Sequence, residues 1–345
     1  MAAPILLCNT AGMDRKRWLE CRMHGPAGTI PYTIGGSDVS VVFGDSPWST
    51  PLELWRIKKG LLLPDDKSNA TAKQMGHIME PVVAQCYAMK TGNTIITDTG
   101  LYQHAKYPYA LANLDYRVED KDSGRQGVLE CKTTDWHFAE GWADGCVPYY
   151  YELQVRFYLA VMDLDFADIV CMWGLNPERD MAIRRIERDL LIEASIFEKL
   201  DEFIDSLNLN IEPDMTDVKP TVALASLARI YAKSDASLPT VEFSPKYEKP
   251  LRSIAALQAE VAALSEQIKK KEGEITAHSV RIVEAMKEHE IGELLTPADR
   301  LVIRFPTRSS RRPDSKRLKD EYPAIYEAVL KVTTSRKLAV SVEAV

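Results

Sequence analysis

The sequence predicts a mixed α/β (α+β) core that is followed by a C-terminal helical, coiled-coil and small α+β extension. Up to residue 212, short apolar strand patterns alternate closely with amphipathic helix patterns, as they do in layered α/β domains. A hydrophobic content of 46% over 345 residues is enough for a packed core. Beyond residue 212 this close alternation ends, because the next stretch is interrupted by Pro213, Pro220, Pro239, Pro245 and Pro250.

Three further segments follow the core. Residues 213–250 are predicted to be a proline-containing linker with one short helix, "TVALASLARIYAKS". Residues 251–298 are predicted to form a coiled-coil-like helix that Gly273 slackens or breaks. Its apolar residues recur at alternating steps of three and four with one gap at Lys271, at Ile254, Leu257, Val261, Leu264, Ile268 and Ile275. Residues 299–345 are predicted to be a basic α+β tail, with strands "RLVIRF" and "RKLAVSV" around a helix, "DSKRLKDEYPAIYEAVLK".

Composition excludes several classes of protein. No apolar run approaches the roughly 20 residues that span a bilayer, and the N-terminus lacks a basic start, so we expect a cytoplasmic protein without membrane contact. The six cysteines form no CxxC pair, which argues against a zinc ribbon, an iron–sulfur cluster or a disulfide scaffold. The formal net charge of −7 means that any contact with nucleic acid must use local basic surface.

The stretch "GVLECKTTD" places an acid and a lysine two residues apart in an apolar run. Side chains alternate faces along a strand, so Glu130 and Lys132 are expected on one face and the Cys131 side chain on the other. Upstream, "LANLDYRV" is a second strand candidate, and the turn-rich "EDKDSGRQG" joins the two as a β-hairpin. Asp115 is then expected beside Glu130.

This arrangement has two interpretations. Two carboxylates, the Cys131 backbone carbonyl and water are hard oxygen ligands that suit Mg²⁺ or Mn²⁺. A lysine nearby can position an attacking water, while the metal stabilises charge on a phosphate. The alternative interpretation is a structural ion pair between Glu130 and Lys132.

Five segments, in order along the chain, resemble one nuclease family. The stretches "MGHIMEP", "LANLD", "VLECK" and "QVRFY" resemble the GxxxE, hydrophobic-D, ExK and QxxxY motifs of PD-(D/E)xK nucleases of the RecB and lambda-exonuclease type. Upstream, "WLECR" followed by "IGGSDVSVVFGDSPWSTPLELW" resembles the N-terminal signature of YqaJ-type viral recombinase nucleases. The segment "DGCVPYYYELQVRFYLAV" resembles the part of those proteins that follows the ExK lysine.

The resemblance implies a restriction-endonuclease-like core over residues 1–212, with a mixed central sheet flanked by helices. It implies that metal is held by Glu80, Asp115, Glu130 and the Cys131 carbonyl, and that Lys132 positions the water. Gln154 and Tyr158 complete the implied catalytic set; they lie four residues apart and so share one helix face. Glu80 precedes Pro81, which is expected to begin, kink or break a helix.

The resemblance also implies a pocket for a DNA 5′-phosphate. The matching residues are Arg22 and Ser37, whose guanidinium and hydroxyl groups suit phosphate oxygens. Asn113 stands where lambda-type enzymes have a pocket serine, and His137 is a weak candidate for a second pocket cation. The stretch from Arg300 to Lys319 has eight basic residues against one acid, which predicts contact with the DNA backbone. The tail residues expected to bind DNA are Arg304, Arg308, Arg311, Arg312 and Lys316, with a solvated basic surface as the alternative.

These features predict a Mg²⁺-dependent (or Mn²⁺-dependent) exonuclease of phage or prophage recombination, acting in the bacterial host cell. The resemblance implies 5′ to 3′ digestion of double-stranded DNA to mononucleotides, a single-strand annealing protein as partner, and a ring-shaped homo-oligomer. Two alternatives stay open. One is an endonuclease or nickase of the same fold, and the other is a non-catalytic DNA-binding assembly protein.

Overall fold

The computed structural model describes residues 3–64, 70–309, 315–329, 338 and 340. The chain divides into two compact units, Met1–Tyr231 and Ala232–Val345. The mixed α+β class predicted from the sequence is confirmed in the first unit, which combines two sheets with flanking helices.

The strands of the first unit are β1 (Ile5–Asn9), β2 (Ile34–Gly35), β3 (Thr94–Thr97), β4 (Gly100–Gln103), β5 (Ala110–Ala112), β6 (Tyr116–Glu119), β7 (Gln126–Thr133), β8 (Phe166–Met172) and β9 (Met181–Glu187). Its helices are α1 (Arg15–His24), α2 (Gly36–Val42), α3 (Pro51–Lys58), α4 (Ala70–Thr91), α5 (Tyr149–Met162), α6 (Leu190–Leu209) and α7 (Pro220–Ile230), with a 3₁₀ segment at Trp136–Gly145.

The central sheet has the order β3-β6-β7-β8-β9. Strands β7 and β8 are parallel and the other pairs are antiparallel, because α5 forms the crossover between β7 and β8. Every residue of β8 is buried, as expected for a strand covered on both faces. A smaller sheet has the order β1-β4-β5-β2.

Two apolar clusters cover the faces of the central sheet. On one face, Val83, Ala84 and Tyr87 of α4 pack with Leu129 and Cys131 of β7. On the other face, helices α2, α5 and α6 pack over alternate residues of the same strands, including Val128 and Ile169. The strand β7 therefore lies between two helical layers, and each of its polar residues must find partners in one of them.

The expected hairpin is present, although its first strand is shorter than the sequence predicts. Strands β6 and β7 pair antiparallel from Tyr116↔Leu129 to Glu119↔Gln126. The stretch "LANLDYRV" is not one strand, because the chain leaves the smaller sheet after Ala112 and enters the central sheet at Tyr116.

Helix α4 continues through Pro81, so this proline neither begins nor ends a helix. Burial of the following turns against the sheet keeps the helix intact despite the missing amide donor.

The first unit extends beyond residue 212. Helix α7, predicted as the single helix of the linker, is present and packs against α3. The buried Ser226 hydroxyl donates to Glu53 Oε2 at 2.9 Å, and Arg229 Nε donates to Glu53 Oε1 at 2.6 Å. These contacts explain why the boundary between the two compact units follows Tyr231.

The second unit contains a long helix and a hairpin. Its elements are α8 (Glu248–Met286), β10 (Ile291–Leu295), β11 (Arg300–Arg304), α9 (Ser315–Glu321) and α10 (Pro323–Val329), with a 3₁₀ segment at Pro245–Tyr247 before α8. Helix α8 is continuous, so Gly273 does not break it. The strand predicted at "RLVIRF" is present as β11 and pairs with β10. The predicted tail helix is divided before Pro323, because a residue preceding proline disfavours helical geometry. The segment "RKLAVSV" lies largely outside the described residues.

Candidate active site

Strand β7 presents Glu130 and Lys132 to the helix α5 side of the sheet. Leu129 and Cys131 face the α4 layer, so the intervening residues face the opposite layer. Lys132 Nζ donates to Glu130 Oε1 at 2.5 Å, in agreement with the face-sharing that strand alternation predicts. The free thiol of Cys131 is buried in the apolar cluster under α4, on the opposite face of the strand, as side-chain alternation predicts.

The Glu130 carboxylate is only partly satisfied. Its residue is 2% exposed, and Oε1 also accepts from Gln154 Nε2 at 2.7 Å. Its Oε2 is buried and has no hydrogen-bond partner among the described residues. A buried carboxylate oxygen without a donor is destabilising, so this atom marks a place for a cation or an ordered water.

Asp115 lies at the open end of the hairpin. It directly precedes β6, one residue beyond the last pair, Tyr116↔Leu129. Its Oδ2 accepts from the Cys131 amide at 2.9 Å. Because the amide and carbonyl of one strand residue point to the same side, the Cys131 carbonyl also lies on the side of Asp115. The hairpin thus brings together Asp115, Glu130 and this backbone carbonyl, as the sequence predicts.

Glu80 supplies a third carboxylate from helix α4. Its side chain is partly buried, and Oε1 is 2.8 Å from His77 Nδ1. Its negative charge contributes to the raised pKa of Asp115, so the two carboxylates lie within electrostatic reach of each other. Position 80 therefore adds a carboxylate from the helical layer to two from the sheet.

The carboxylates have strongly perturbed pKa values. Burial raises the pKa of Glu130 to about 7, and the Asp115 charge adds to this effect while Lys132 and Gln154 oppose it. Burial likewise raises the pKa of Asp115 to about 6. Burial alone would lower the pKa of Lys132, but the charges of Glu130 and Asp115 raise it above its usual range. Like charges are gathered here in a poorly solvated place, where a divalent cation would relieve their repulsion.

The residues fit a hard divalent cation. All the candidate ligands are oxygen atoms, and one of them is the unsatisfied Oε2 of Glu130. In the part of the chain that the structure describes, no three His, Cys, Asp or Glu side chains already stand at coordinating distance around one point. Bound Mg²⁺ would thus draw on the Cys131 carbonyl and on water as well as the carboxylates, which is usual for an ion that keeps several waters.

Helix α5 holds Gln154 and Tyr158 beside this cluster. Both are buried, and Gln154 Nε2 lies 3.2 Å from the Tyr158 hydroxyl as well as 2.7 Å from Glu130. The Tyr158 ring packs against Gly36, where an added Cβ would meet it at 2.5 Å. Gln154 therefore orients Glu130, and Tyr158 connects the carboxylates with the N-terminal "GGSD" turn.

Arg22 and Ser37 meet despite the 14 residues between them. Arg22 Nη2 donates to the exposed Ser37 hydroxyl at 3.4 Å. The arginine lies over the Trp18 ring at 4.6 Å, and the Trp18 indole donates to Asn113 Oδ1 at 3.1 Å. An added Cβ on Gly35 would lie 2.6 Å from Arg22 Nη2, so a side chain at position 35 would displace the guanidinium from this place. The three predicted phosphate-pocket residues thus share one location.

A partly buried ion pair fixes the turn below Arg22. Asp38 accepts from Lys58 Nζ at 2.9 Å and from the Gly35 amide at 3.1 Å. Burial raises the pKa of Asp38, but Lys58 and Arg22 outweigh it and hold the pKa below the ordinary value. The carboxylate therefore stays ionised and holds the cationic side of the turn in place.

The other predicted DNA-binding residues lie elsewhere. His137 is exposed in the 3₁₀ segment and bonds to Asp135. Arg304 ends β11, Arg308 follows it, and Lys316 lies in α9; all three are exposed. Arg311 and Arg312 lie outside the described residues.

Sequence reasoning missed two contributors to the site. Trp18 joins Arg22 to Asn113, and its spacing of four residues from Arg22 on α1 was the available signal. Tyr151 lies under Lys132, with the ammonium 4.9 Å from the ring centroid. Nothing in its local sequence distinguishes Tyr151 from its tyrosine neighbours.

Part of the chain matches a known protein family. The model of the YqaJ-like viral recombinase domain matches residues 17–165. Uncharacterized protein YqaJ of Bacillus subtilis (strain 168) is 27% identical over 337 residues, which cover 97% of this chain and 97% of that protein.

Solved structures give weaker similarities. An alkaline exonuclease (LHK-Exo) from Laribacter hongkongensis has a TM-score of 0.45 at 21% identity, over 57% of this chain and 94% of that chain. A phage related exonuclease from Haemophilus somnus 129PT has a TM-score of 0.39 at 13% identity, over 52% of this chain and 93% of that chain. No helix in the described ranges is long and apolar enough to cross a membrane. The family match covers the segment that carries Arg22, Asp115, Glu130 and Lys132, and over residues 17–165 the chain is similar to the YqaJ-like viral recombinase domain.

Proposed function

We propose that this protein is a divalent-metal-dependent DNA exonuclease of phage-type recombination. The observation that carries the proposal is the convergence of Asp115, Glu130 and Lys132, with a buried Glu130 oxygen that lacks a partner among the described residues. A structural ion pair alone does not account for a second carboxylate and an unsatisfied oxygen in the same place, because each is destabilising without a further ligand.

Each residue has a defined task in the proposed reaction. Glu80, Asp115, Glu130 and the Cys131 carbonyl would hold Mg²⁺ or Mn²⁺, which when bound supplies Lewis-acid stabilisation of charge on the phosphate. Lys132 positions the attacking water and remains protonated, because the neighbouring carboxylates raise its pKa. Gln154 holds the Glu130 carboxylate, and Tyr158 holds Gln154.

A pocket for a 5′-phosphate supports an exonuclease that digests 5′ to 3′. Arg22 and Ser37 offer a guanidinium and a hydroxyl, and Asn113 is held nearby through Trp18. A terminal phosphate carries more negative charge than an internal phosphodiester, so this donor set favours a strand end. Release of mononucleotides from 5′ ends would leave a 3′ overhang, which is the substrate of a single-strand annealing protein.

The catalytic assignment is tested on linear duplex DNA with 5′-phosphates. Asp115→Asn and Lys132→Ala are each expected to lower Mg²⁺-dependent release of mononucleotides at least about a hundredfold. The matched control is Asp122→Asn, an exposed acid in the turn of the same hairpin, which should retain the parent rate. If Asp115→Asn and Lys132→Ala digest DNA as fast as the control, the assignment is wrong.

The endonuclease alternative is tested with covalently closed circles. The proposed exonuclease should leave circles intact while it digests linear DNA in the same mixture. Labels at the 5′ or 3′ end then report polarity, since 5′ to 3′ digestion releases the 5′ label first. Nicked or linearised circles would instead favour an endonuclease, and DNA retention without any product would favour a binding protein.

We also propose a ring-shaped homo-oligomer that encloses the duplex. Digestion of many nucleotides from one end is favoured when the enzyme cannot dissociate, and closed cyclic symmetry provides that enclosure. Sedimentation equilibrium should then give a mass at least about three times that of the chain. A strictly monomeric protein at working concentration would contradict this part of the proposal.

A further inference from the structure

A row of aromatic side chains extends from Lys132 toward solvent. The Lys132 ammonium lies 4.9 Å from the centroid of the Tyr151 ring. Tyr150 lies 4.4 Å from Tyr151, and the Trp48 indole lies 5.2 Å from Tyr150 and 6.3 Å from Tyr151. We refer to Trp48, Tyr150 and Tyr151 as the aromatic row. It begins at the proposed catalytic lysine and ends at the surface.

Trp48 combines a fixed backbone with an exposed ring. Its amide donates to Ser46 Oγ at 3.3 Å, and its carbonyl accepts from Arg229 Nη2 at 2.8 Å. The residue is nevertheless 57% exposed. Tyr150 meets the indole edge to face, with an interplanar angle of 80°, so this contact covers at most one face of the indole. The backbone of Trp48 is therefore held in place while more than half of this large apolar residue is accessible to a ligand.

The chemistry of this surface fits a nucleobase. An aromatic face binds bases by stacking and tolerates any base sequence, because every base has a π face. Bases inside a duplex are already stacked on both sides. An exposed indole can thus stack only on a base that is unpaired or at the end of the helix.

We propose that Trp48, supported by Tyr150, is a stacking subsite for an unpaired nucleobase of the strand whose phosphate lies at Lys132. This inference rests on the proposed function, since Lys132 is taken as the residue beside the reacting phosphate. Stacking holds the strand after its end has separated from the complement and fixes the distance between base and phosphate. Trp48 is a positioning residue, and Tyr151 links it to the lysine.

The test uses substrates that lack a single base. Linear duplexes are prepared with an abasic nucleotide at each of the first four positions of the digested strand. The parent enzyme is expected to slow about tenfold at one of these positions, which is the position that occupies the subsite. Trp48→Ala should lower kcat/KM about tenfold on intact DNA and show no further loss at that abasic position.

Two further variants separate stacking from general damage. Trp48→Phe keeps an aromatic face and should restore most of the parent rate and its sensitivity to the abasic position. Phe243→Ala removes a ring of similar exposure, 62%, from the second unit and should behave as the parent on every substrate. If Trp48→Ala equals Phe243→Ala on all substrates, or loses the same factor at every abasic position, the subsite is refuted.

A binding measurement keeps this inference separate from the proposed function. In the Lys132→Ala protein with EDTA, a single-stranded oligonucleotide should quench the tryptophan fluorescence. This quenching should be lost in the Lys132→Ala, Trp48→Phe protein, because the quenched indole is that of Trp48. Quenching without hydrolysis by the parent would reject the nuclease and retain the stacking site. Hydrolysis by the parent without Trp48-dependent quenching would reject the stacking site and retain the nuclease.

Discussion

Two buried carboxylates lie on adjacent parallel strands of the central sheet, and their surroundings differ. Asp168 on β8 is paired in register with Leu129, the neighbour of Glu130 on β7, and both acids are 2% exposed. Asp168 accepts from Arg185 Nε at 2.8 Å, from Arg185 Nη2 at 2.7 Å and from the Tyr87 hydroxyl at 2.5 Å. Glu130 has one oxygen bonded and one without a partner among the described residues.

The difference separates a structural acid from a candidate ligand. Asp168 is neutralised by a bidentate guanidinium, which is the strongest protein partner for a carboxylate. Arg185 is in turn shared with Asp120 at 2.7 Å. Glu130 faces a second carboxylate and a single lysine, and its unsatisfied oxygen leaves a place for a cation or an ordered water. Burial alone therefore does not single out Glu130, whereas an unsatisfied carboxylate oxygen beside a second acid makes it the candidate ligand.

The largest expected effect distinguishes these acids by activity. Glu130→Gln removes a metal ligand and should lower Mg²⁺-dependent hydrolysis by at least about a hundredfold. Asp168→Asn should retain activity within about threefold at a temperature where it is folded, because a group outside the site contributes no transition-state stabilisation. Initial rates on 5′-phosphorylated linear duplex measure both. Equal losses in the two variants would remove the distinction.

The stability of the two variants should change in the opposite order to their activity, with the larger loss in Asp168→Asn. Asp168→Asn leaves Arg185 without its bidentate partner and should lower the free energy of unfolding by about 3 kcal/mol. This value is near the lower limit for a broken buried ion pair, because Arg185 keeps Asp120 as a second partner. Urea denaturation at pH 8 with EDTA measures the change. A neutral result would mean that the Asp168 pair contributes little to the fold.

Glu130→Gln should stabilise the metal-free protein as pH rises. The raised pKa of Glu130 means that folding disfavours its ionised form, so the parent loses stability between the unfolded value of 4.5 and the folded value of about 7. The variant does not ionise, and its advantage should grow to about 3 kcal/mol at pH 8 and vanish near pH 4. Urea denaturation at both pH values in EDTA tests this sign. A loss of stability at pH 8 would show that pairing with Lys132 outweighs burial.

A smaller effect is expected at the phosphate pocket. Arg22→Ala should reduce the preference for 5′-phosphorylated over 5′-hydroxyl ends by about tenfold, the usual contribution of a charged hydrogen bond. Arg17→Ala, on the same helix and paired with Glu20 at 3.6 Å, is the matched control. The ratio of digestion rates on the two kinds of end is measured. An unchanged ratio in Arg22→Ala would place the 5′-phosphate elsewhere.

The smallest effect is expected in the basic tail. Arg304→Ala and Lys316→Ala should each weaken DNA binding about threefold without changing the catalytic rate on bound DNA. Each should also lower the salt dependence of the DNA-binding constant by about the contribution of one phosphate contact. Binding titrations from low to physiological salt measure this. A changed catalytic rate with unchanged binding would contradict a backbone contact.

Local sequence predicted much of the site because short-range geometry determines it. Strand alternation placed Glu130 and Lys132 on one face, and the hairpin register brought Asp115 beside them. The contrast with Asp168 was not predictable, because its partners Arg185 and Tyr87 lie 17 and 81 residues away in the chain. The fold alone brings these residues together.

Two other features depended on tertiary packing. The contact between Arg22 and Ser37 could not be predicted from the sequence, because a long segment separates them. In the structure the arginine lies close to Gly35 and so reaches the serine. The continuity of α4 through Pro81 contradicts local propensity, because burial of the helix on the sheet outweighs one missing hydrogen bond. Propensity is a weak guide where an apolar helix face is buried.

Mn²⁺ binding measured by titration calorimetry, without DNA, tests the central claim most directly. We predict that the parent and Asp168→Asn proteins bind Mn²⁺ with similar affinity, whereas Glu130→Gln binds at least about tenfold more weakly because it loses a first ligand. Equal binding by Glu130→Gln and the parent would contradict the assignment of the hairpin carboxylates as a metal site.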